Sequence, residues 1–254
     1  MDLPQHILSF AKTIVEADKS HTPITEVDTS LVPTDVTEAY QVQQEILSMR
    51  QVTAAGWKVG ARSPTAVIQG SPLPHDRIYP SGSSLAISDY PIIGIELEIA
   101  FSLKDSFSPR DEPYSDTEVL SAIGEMGATI EIISSRFATW PDTPALAKLA
   151  DLMNHGALVI GQFVPYSSEI DFINPLLNFT FNGVNISSPT GGNPAGDPRR
   201  LLTWLVNHHT SRGVTLQQGI VITTGSYTDL HMVNEAGSLV GEIKGLPALC
   251  VSFK

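Results

Sequence analysis

The chain is 254 residues long, with 42% apolar and 17% charged side chains, enough for a full core in one large domain or a domain with an appendage. A formal net charge of −12 argues against nucleic acid and anionic membranes as partners, although a bound divalent cation would locally admit an anionic ligand. The single Cys250 excludes an intramolecular disulfide and a cysteine-based zinc cluster, and no apolar run approaches the ~20 residues of a membrane span.

The opening Met1-Asp-Leu-Pro-Gln-His6 lacks the basic and apolar regions of a secretory signal, so a cytoplasmic protein is expected. Residues 4–18 place Ile7, Leu8, Ala11, Ile14 and Val15 on one stripe and predict a helix. A connector containing Pro and Thr, residues 21–33, leads to a second predicted helix. That helix starts at Asp35, with Glu38 at capping-box spacing, and runs to Arg50. From residue 56 the texture changes to short apolar runs divided by Gly, Pro, Asn and Ser. These predict strands at 56–61, 85–88, 94–103, 128–134, 157–163, 176–181, 219–223, 229–233 and 248–253. Asn182-Gly183, between Phe179 and Phe181 on one side and Val184 and Ile186 on the other, signals a tight turn. Further helices are expected at 115–124, opened by Ser115 with Glu118, at 144–151, and at 197–210 with Pro198 in its first turn. The polar loops 104–114 and 187–197 are long enough to act as lids. The pattern is α+β: a helical N-terminal section, residues 1–55, joined to a strand-rich core, residues 56–254, as one continuous domain.

Chemistry concentrates in Gly94-Ile-Glu-Leu-Glu-Ile-Ala-Phe101. On a strand, Ile95, Leu97 and Ile99 point one way while Glu96 and Glu98 point the other, about 6.5–7 Å apart. Ala128-Thr-Ile-Glu-Ile-Ile133 offers Glu131 in the same apolar setting. Alternating glutamates are most often the wet face of a half-buried strand. Glu is nevertheless a poor strand former, and carboxylates so placed suit a hard cation with oxygen ligands. Gly56-Trp-Lys-Val-Gly60 isolates Lys58 on one strand face between glycines, a pattern of close approach by a ligand or another backbone. A surface lysine, or a structural partner for a carboxylate, is the plain alternative. Adjacent His208 and His209 point in different directions from a helix and read as solvated rather than metal-binding.

Several motifs occur in order: Gly56-Trp-Lys-Val-Gly60, Glu96-Leu-Glu-Ile-Ala-Phe101, Ile130-Glu-Ile-Ile-Ser-Ser-Arg-Phe137 with Trp140, and Gly156-Ala-Leu-Val-Ile-Gly161. Trp204-Leu-Val-Asn207, Thr223-Thr-Gly-Ser-Tyr-Thr228 and Val251-Ser-Phe253 follow. Through them, from about residue 35 to its end, the chain resembles the 2-oxopent-4-enoate (2-hydroxypenta-2,4-dienoate) hydratase and 4-oxalocrotonate decarboxylase family, relatives of fumarylacetoacetate hydrolase. The resemblance implies a mixed sheet or roll of the fumarylacetoacetate hydrolase C-terminal type. It also implies Mg²⁺ or Mn²⁺ held by Glu96, Glu98 and Glu131, and Lys58 as an active-site lysine.

Two departures from the family pattern stand out. Where relatives carry an Asp in a Pro-Asp-Phe-Gly context, this chain has Ser71-Pro-Leu-Pro-His-Asp-Arg77, so His75 or Asp76 takes that catalytic place. Where relatives carry Ser-Ser, it has Asn154-His155, with His155 either a proton donor or acceptor or a core histidine satisfied by backbone. Backbone and hydroxyl donors of Gly225, Ser226 and Thr228 are placed to hold a substrate carboxylate, with a structural Gly turn as the competing reading. Arg62 is a candidate bidentate clamp for that carboxylate, and Arg136 a brace for the metal strands.

The expected activity is metal-dependent hydration of a small unsaturated 2-oxo acid. Decarboxylation of a 4-oxalocrotonate-type acid and acylpyruvate C–C hydrolysis are the enzymatic alternatives, and a catalytically silent assembly subunit is the non-enzymatic one. The resemblance further implies a homo-oligomer, or a complex with a related decarboxylase or hydratase subunit.

Overall fold

The computed structural model describes residues 3–254; Met1 and Asp2, where the secretory-signal reading begins, lie outside the described residues. Helices α1 (Gln5–Ser20) and α2 (Val36–Arg50) follow their apolar stripes closely. Asp35 caps α2 by accepting from Glu38 N at 2.9 Å. The Glu38 carboxylate turns back to Thr34 N at 2.7 Å, so the reciprocal half of the capping box is displaced by one residue.

The chain then runs through β1 (Ala54–Gly60), β2 (Gln69–Pro74), β3 (Ile78–Pro80), β4 (Ser84–Leu85) and β5 (Gly94–Leu103). Helix α3 (Asp116–Ser121) precedes β6 (Ile123–Ile133), and α4 (Ala145–Ala150) precedes β7 (His155–Ile160) and β8 (Val164–Pro165). The hairpin β9 (Leu177–Phe181) and β10 (Val184–Asn185) leads to α5 (Arg200–Thr210). Strands β11 (Val221–Ser226), β12 (His231–Met232), β13 (Gly237–Ile243) and β14 (Leu249–Phe253) complete it. Among the described residues no helix is long and apolar enough to cross a membrane.

Two mixed sheets result. The larger has the order β2-β1-β11-β5-β6-β7-β3, with β12 beside β5 and β8 beside β6; the smaller is β10-β9-β13-β14-β4. Ile95, Leu97 and Ile99, with Ile130 and Ile132, enter the core that also takes Phe179, Leu239 and Val251 of the smaller sheet. At Gly241 a Cβ would come within 2.6 Å of Leu97 Cδ1, so glycine allows the sheets to approach there. Alternation then turns Glu96, Glu98 and Glu131 to the opposite face of the larger sheet. The second core cluster joins α1 and α2 to Phe137, Leu149 and Leu152. The helical section therefore shares its core with residues of the strand-rich part.

Several strands differ from the sequence reading, which held neither β8 nor the start of β6 at Ile123. β2 was hidden by Pro72 and Pro74, which are tolerated because β2 lies at a sheet edge. β3 is only three residues long. β13 alternates well, but its glycines at 237 and 241 break the apolar signal. Both long polar loops are tied to the body of the molecule by hydrogen bonds. Asn193 Nδ2 donates to Thr224 O at 3.0 Å and Gly225 O at 3.2 Å. Tyr114 exchanges two hydrogen bonds with the Asn207 side chain, at 2.8 and 2.9 Å.

Candidate active site

The antiparallel register of β5 and β6 sets Glu96 directly opposite Glu131, with Glu98 one pleat further along. One oxygen from each of these carboxylates lies within 4.8 Å of the other two. Lys58 sits on β1, three strand positions from β6, about 14 Å away in a flat sheet. Its Nζ nevertheless donates to Glu131 Oε1 at 2.5 Å, so the sheet curls around these side chains. The irregular register between Thr223 and Ser226, where β11 meets β5, falls at this bend.

Further groups lock the carboxylates. Gly225 N donates to Glu98 Oε2 at 3.2 Å from a backbone with φ +89, a conformation that favours glycine. The His155 ring meets Glu131 Oε1 through Nδ1 at 3.0 Å. Lys58 Nζ also donates to Met153 O at 3.2 Å. That carbonyl is presented by three successive left-handed residues, Leu152, Met153 and Asn154, with φ of 47, 53 and 58. For side chains other than glycine this costs roughly 1–2 kcal/mol per residue, so the turn must be held from outside. Asn154 N donates to Asp151 O at 2.7 Å, and Ser134 N to Asn154 O at 2.8 Å. Arg136 bonds both Asp151 and the His155 carbonyl, so it braces this turn and the start of β7 rather than the glutamate strands themselves.

Burial dominates the electrostatics. It pushes the Glu96 carboxyl up to about 7, helped by the neighbouring Glu131 charge and opposed by Lys58. Glu98 is raised well above the usual range by burial and then by Glu131 and Glu96. Burial acts on Glu131 as well, but the Lys58 ammonium and the His155 hydrogen bond outweigh it and hold Glu131 low. Burial lowers His155 and favours its neutral ring. Two carboxylates that resist ionisation thus crowd against a third that does not. The set fits a hard divalent ion, which favours oxygen ligands.

A pH dependence follows. A carboxyl with a raised folded pKa favours folding less as pH climbs from its ordinary 4.5 to about 7, because the folded state retains the proton longer. Glu96→Gln is therefore expected to match wild type at pH 4.5 and to exceed it by up to about 3 kcal/mol at pH 8 in EDTA. Urea unfolding across that range checks it; a gap independent of pH would remove Glu96 from the site's electrostatics.

A cleft of about 630 Å³ opens beside this cluster, with Arg62, Gln69, Trp140, Lys148 and Asn154 among its walls and Gly225 at its edge. Arg62 is exposed on the cleft wall, where a clamp would be needed. His75, Asp76, Ser226 and Thr228 are not brought into the cleft, and neither is His155. His75 and Asp76 are exposed on a 3-10 turn after β2, where Arg50 donates to Asp76 at 2.7 Å. In register with Lys58 instead is the buried Ser71. Ser226 Oγ donates to Thr228 O at 2.8 Å, and Thr228 Oγ1 accepts from Leu97 N at 3.3 Å. Their hydroxyls close a turn onto β5, so the structural-turn reading holds for them. Gly225 holds Glu98 in the same turn.

His155 is a positioning residue. It is fully enclosed between Glu131 and a layer containing Asp18, Arg50, Arg77 and Arg136, away from the cleft walls. Sequence reasoning missed Met153, whose contribution is a carbonyl, and Asp151, whose burial within a short helix end carries no sequence signal.

The fold is of the fumarylacetoacetate hydrolase type, as the structural likenesses show. 4-Oxalocrotonate decarboxylase from Pseudomonas putida G7, complexed with magnesium and adipate, matches with a TM-score of 0.86 over 100% of this chain and 99% of that one, at 21% identity. Fumarylpyruvate hydrolase from Pseudomonas aeruginosa, in complex with Mn²⁺ and pyruvate, gives 0.59 over 80% and 89%, at 15% identity. In sequence, 2-keto-4-pentenoate hydratase of Paraburkholderia xenovorans (strain LB400) is 23% identical over 266 residues, covering 99% of this chain and 96% of the relative. 2-Hydroxyhexa-2,4-dienoate hydratase of Comamonas testosteroni is 25% identical over 234 residues, 86% of each. No family model matches the chain. The resemblance carried by short motifs thus extends over its full length, to relatives named as hydratases and to a structure named as a decarboxylase.

Proposed function

We propose that this protein is a divalent-metal-dependent hydro-lyase that hydrates a small unsaturated 2-oxo acid to the 4-hydroxy-2-oxo acid. The observation that carries the reading is the convergence of Glu96, Glu98 and Glu131 within 4.8 Å, beside Lys58 and an open cleft. The hydratase relatives support it over most of the chain.

Glu96, Glu98 and Glu131 would hold Mg²⁺ or Mn²⁺, the ions present in the two compared structures. When bound, such an ion supplies Lewis acidity toward the 2-oxo group. For 2-hydroxypenta-2,4-dienoate, a proton moves from the 2-hydroxyl to C5, giving the conjugated 2-oxo acid. Water oxygen then adds at C4 and a proton at C3. Lys58, fixed between Glu131 and Met153 O, offers positive charge to the 2-oxo oxygen as electron density collects there. Arg62 receives the substrate carboxylate at the cleft wall. Asn154 lines the cleft, where its side chain is placed against the substrate. Trp140 supplies an apolar surface for the substrate chain.

Decarboxylation of a dicarboxylic 2-oxo acid is the second reading. Lys148 favours it, as a second cation on the same cleft wall.

The test is loss of the diene absorbance of 2-hydroxypenta-2,4-dienoate in the presence of Mg²⁺ or Mn²⁺. A 4-hydroxy-2-oxo product supports hydration, whereas carbon dioxide from an oxalocrotonate moves the assignment to decarboxylation. Lys58→Met is expected to lower turnover by roughly 10²–10⁴-fold while keeping metal-induced stabilisation. Equal turnover in that variant would remove Lys58 from the reaction.

A further inference from the structure

Behind β1, on the face away from the glutamates, lies a second cavity of about 540 Å³ that the proposed reaction does not use. Trp57 lines it, whereas its neighbour Lys58 points through the sheet to Glu131. The volume lies within the range of small-molecule sites. One wall is a layer of rings. Trp57 packs edge-on to His209 at 4.3 Å between centroids, and Tyr40 edge-on to His208 at 4.8 Å. Opposite stand Val214 and Leu216.

This layer corrects the expectation that His208 and His209 are solvated. His209 is only 7% exposed and His208 is half-buried. Burial lowers both, His208 to about 4, so both rings are neutral near pH 7.

The polar groups have a definite sense. His209 Nδ1 lies 3.0 Å from Leu205 O, which can only accept, so Nδ1 carries the hydrogen. In a neutral ring Nε2 is then an acceptor, and it has no protein partner. Gln43 is fully buried at the cavity wall and spends its Nε2 on Gly70 O and Leu149 O. Its Oε1 and the Tyr40 hydroxyl are sealed from the cavity, which leaves His209 Nε2 as the acceptor on this wall. A site lined by aromatic faces with one spare acceptor calls for a flat apolar ligand that brings a hydrogen-bond donor.

We propose that this cavity is a second ligand site, selective for a small planar aromatic molecule bearing a hydroxyl group. The ring lies against Trp57 and the histidine pair, and the hydroxyl donates to His209 Nε2. The assignment is independent of the reaction at the glutamates.

The probes are p-cresol, which carries the donor, and 4-methylanisole, which has the same ring without it. Saturation-transfer NMR titrations of the full chain are expected to show saturable p-cresol binding, with 4-methylanisole about tenfold weaker or worse. Val214→Trp, at a position 50% exposed on the cavity rim, is expected to abolish p-cresol binding by filling the mouth. The variant keeps metal-induced stabilisation, which shows that it folds. Equal binding of both probes, no saturable binding, or unchanged binding in the variant would overturn the proposal. Sedimentation velocity supplies the remaining arm. A change of oligomeric state on Val214→Trp would mean that a second copy of the chain covers this face, and would overturn it too.

Discussion

Glutamine at position 98 is expected to abolish the response of this protein to divalent metal without unfolding it. Glu98 is 2% exposed and is pushed far toward its neutral form by burial and by the neighbouring glutamates. Without an ion its charge opposes folding; with one, that charge is a ligand. Glutamine keeps the shape and still offers Gly225 N an oxygen acceptor in place of Oε2. In EDTA the variant should equal or exceed wild type in stability, because a buried like charge has been removed. On adding Mg²⁺ to a hundred times its dissociation constant, wild type gains about 2.7 kcal/mol. For a chain of this size that is roughly 5–10 °C in Tm, whereas the variant shows no shift over the same titration. Glu96→Gln, which replaces the more exposed ligand, should lose less. A wild-type Mg²⁺ shift in Glu98→Gln would sink the ligand assignment.

The pairing of the proposed ligands could be read from the sequence because strand alternation is local: Glu96 and Glu98 share a face whatever lies beside them. Their meeting with Glu131 depends on the register of β5 against β6, and that of Lys58 on the curl of the sheet. Neither is encoded in any short segment. Residue type alone also misassigned the hydroxyls. Ser226 and Thr228 have the chemistry of a carboxylate cradle and serve a turn, because the same side chains bond backbone equally well. His75 and Asp76 took their expected role from their order along the chain, but the edge strand β2 ends before them and leaves them at the surface. The histidine pair was misread because α5 is enclosed on more than one side. Its adjacent positions at 208 and 209 face one cavity instead of diverging into solvent.

The largest loss of stability is expected from Arg136→Met. Arg136 is 5% exposed and Asp151 is fully buried. Its Nε pairs with Asp151 Oδ1, its Nη2 donates to Asp151 O at 2.6 Å, and its Nη1 donates to His155 O at 2.6 Å. Burial already pushes the Asp151 carboxyl up to about 6 in spite of this partner. With the guanidinium gone, an uncompensated carboxylate remains in the core, and the expected cost is about 3–5 kcal/mol at pH 8. The sign with pH follows from linkage. A carboxyl whose folded pKa is raised above its ordinary 3.8 loses stabilisation as pH rises through that window. The unpaired carboxyl should titrate higher still, so the deficit of the variant shrinks as pH is brought from 8 toward 5. Arg136→Met combined with Asp151→Leu should recover much of the loss, since neither charge is then stranded. Turnover should not recover with it, because the Arg136 bonds to Asp151 and to the His155 carbonyl, which clamp the left-handed turn of Leu152, Met153 and Asn154 at both ends, have been removed and only its backbone bonds remain. Met153 O would then no longer be fixed against Lys58. Urea unfolding and turnover measured on the same preparations separate the two effects. A single variant within 1 kcal/mol of wild type (about fivefold in the folding equilibrium), or a double variant with full turnover, would show that the brace does not hold the site.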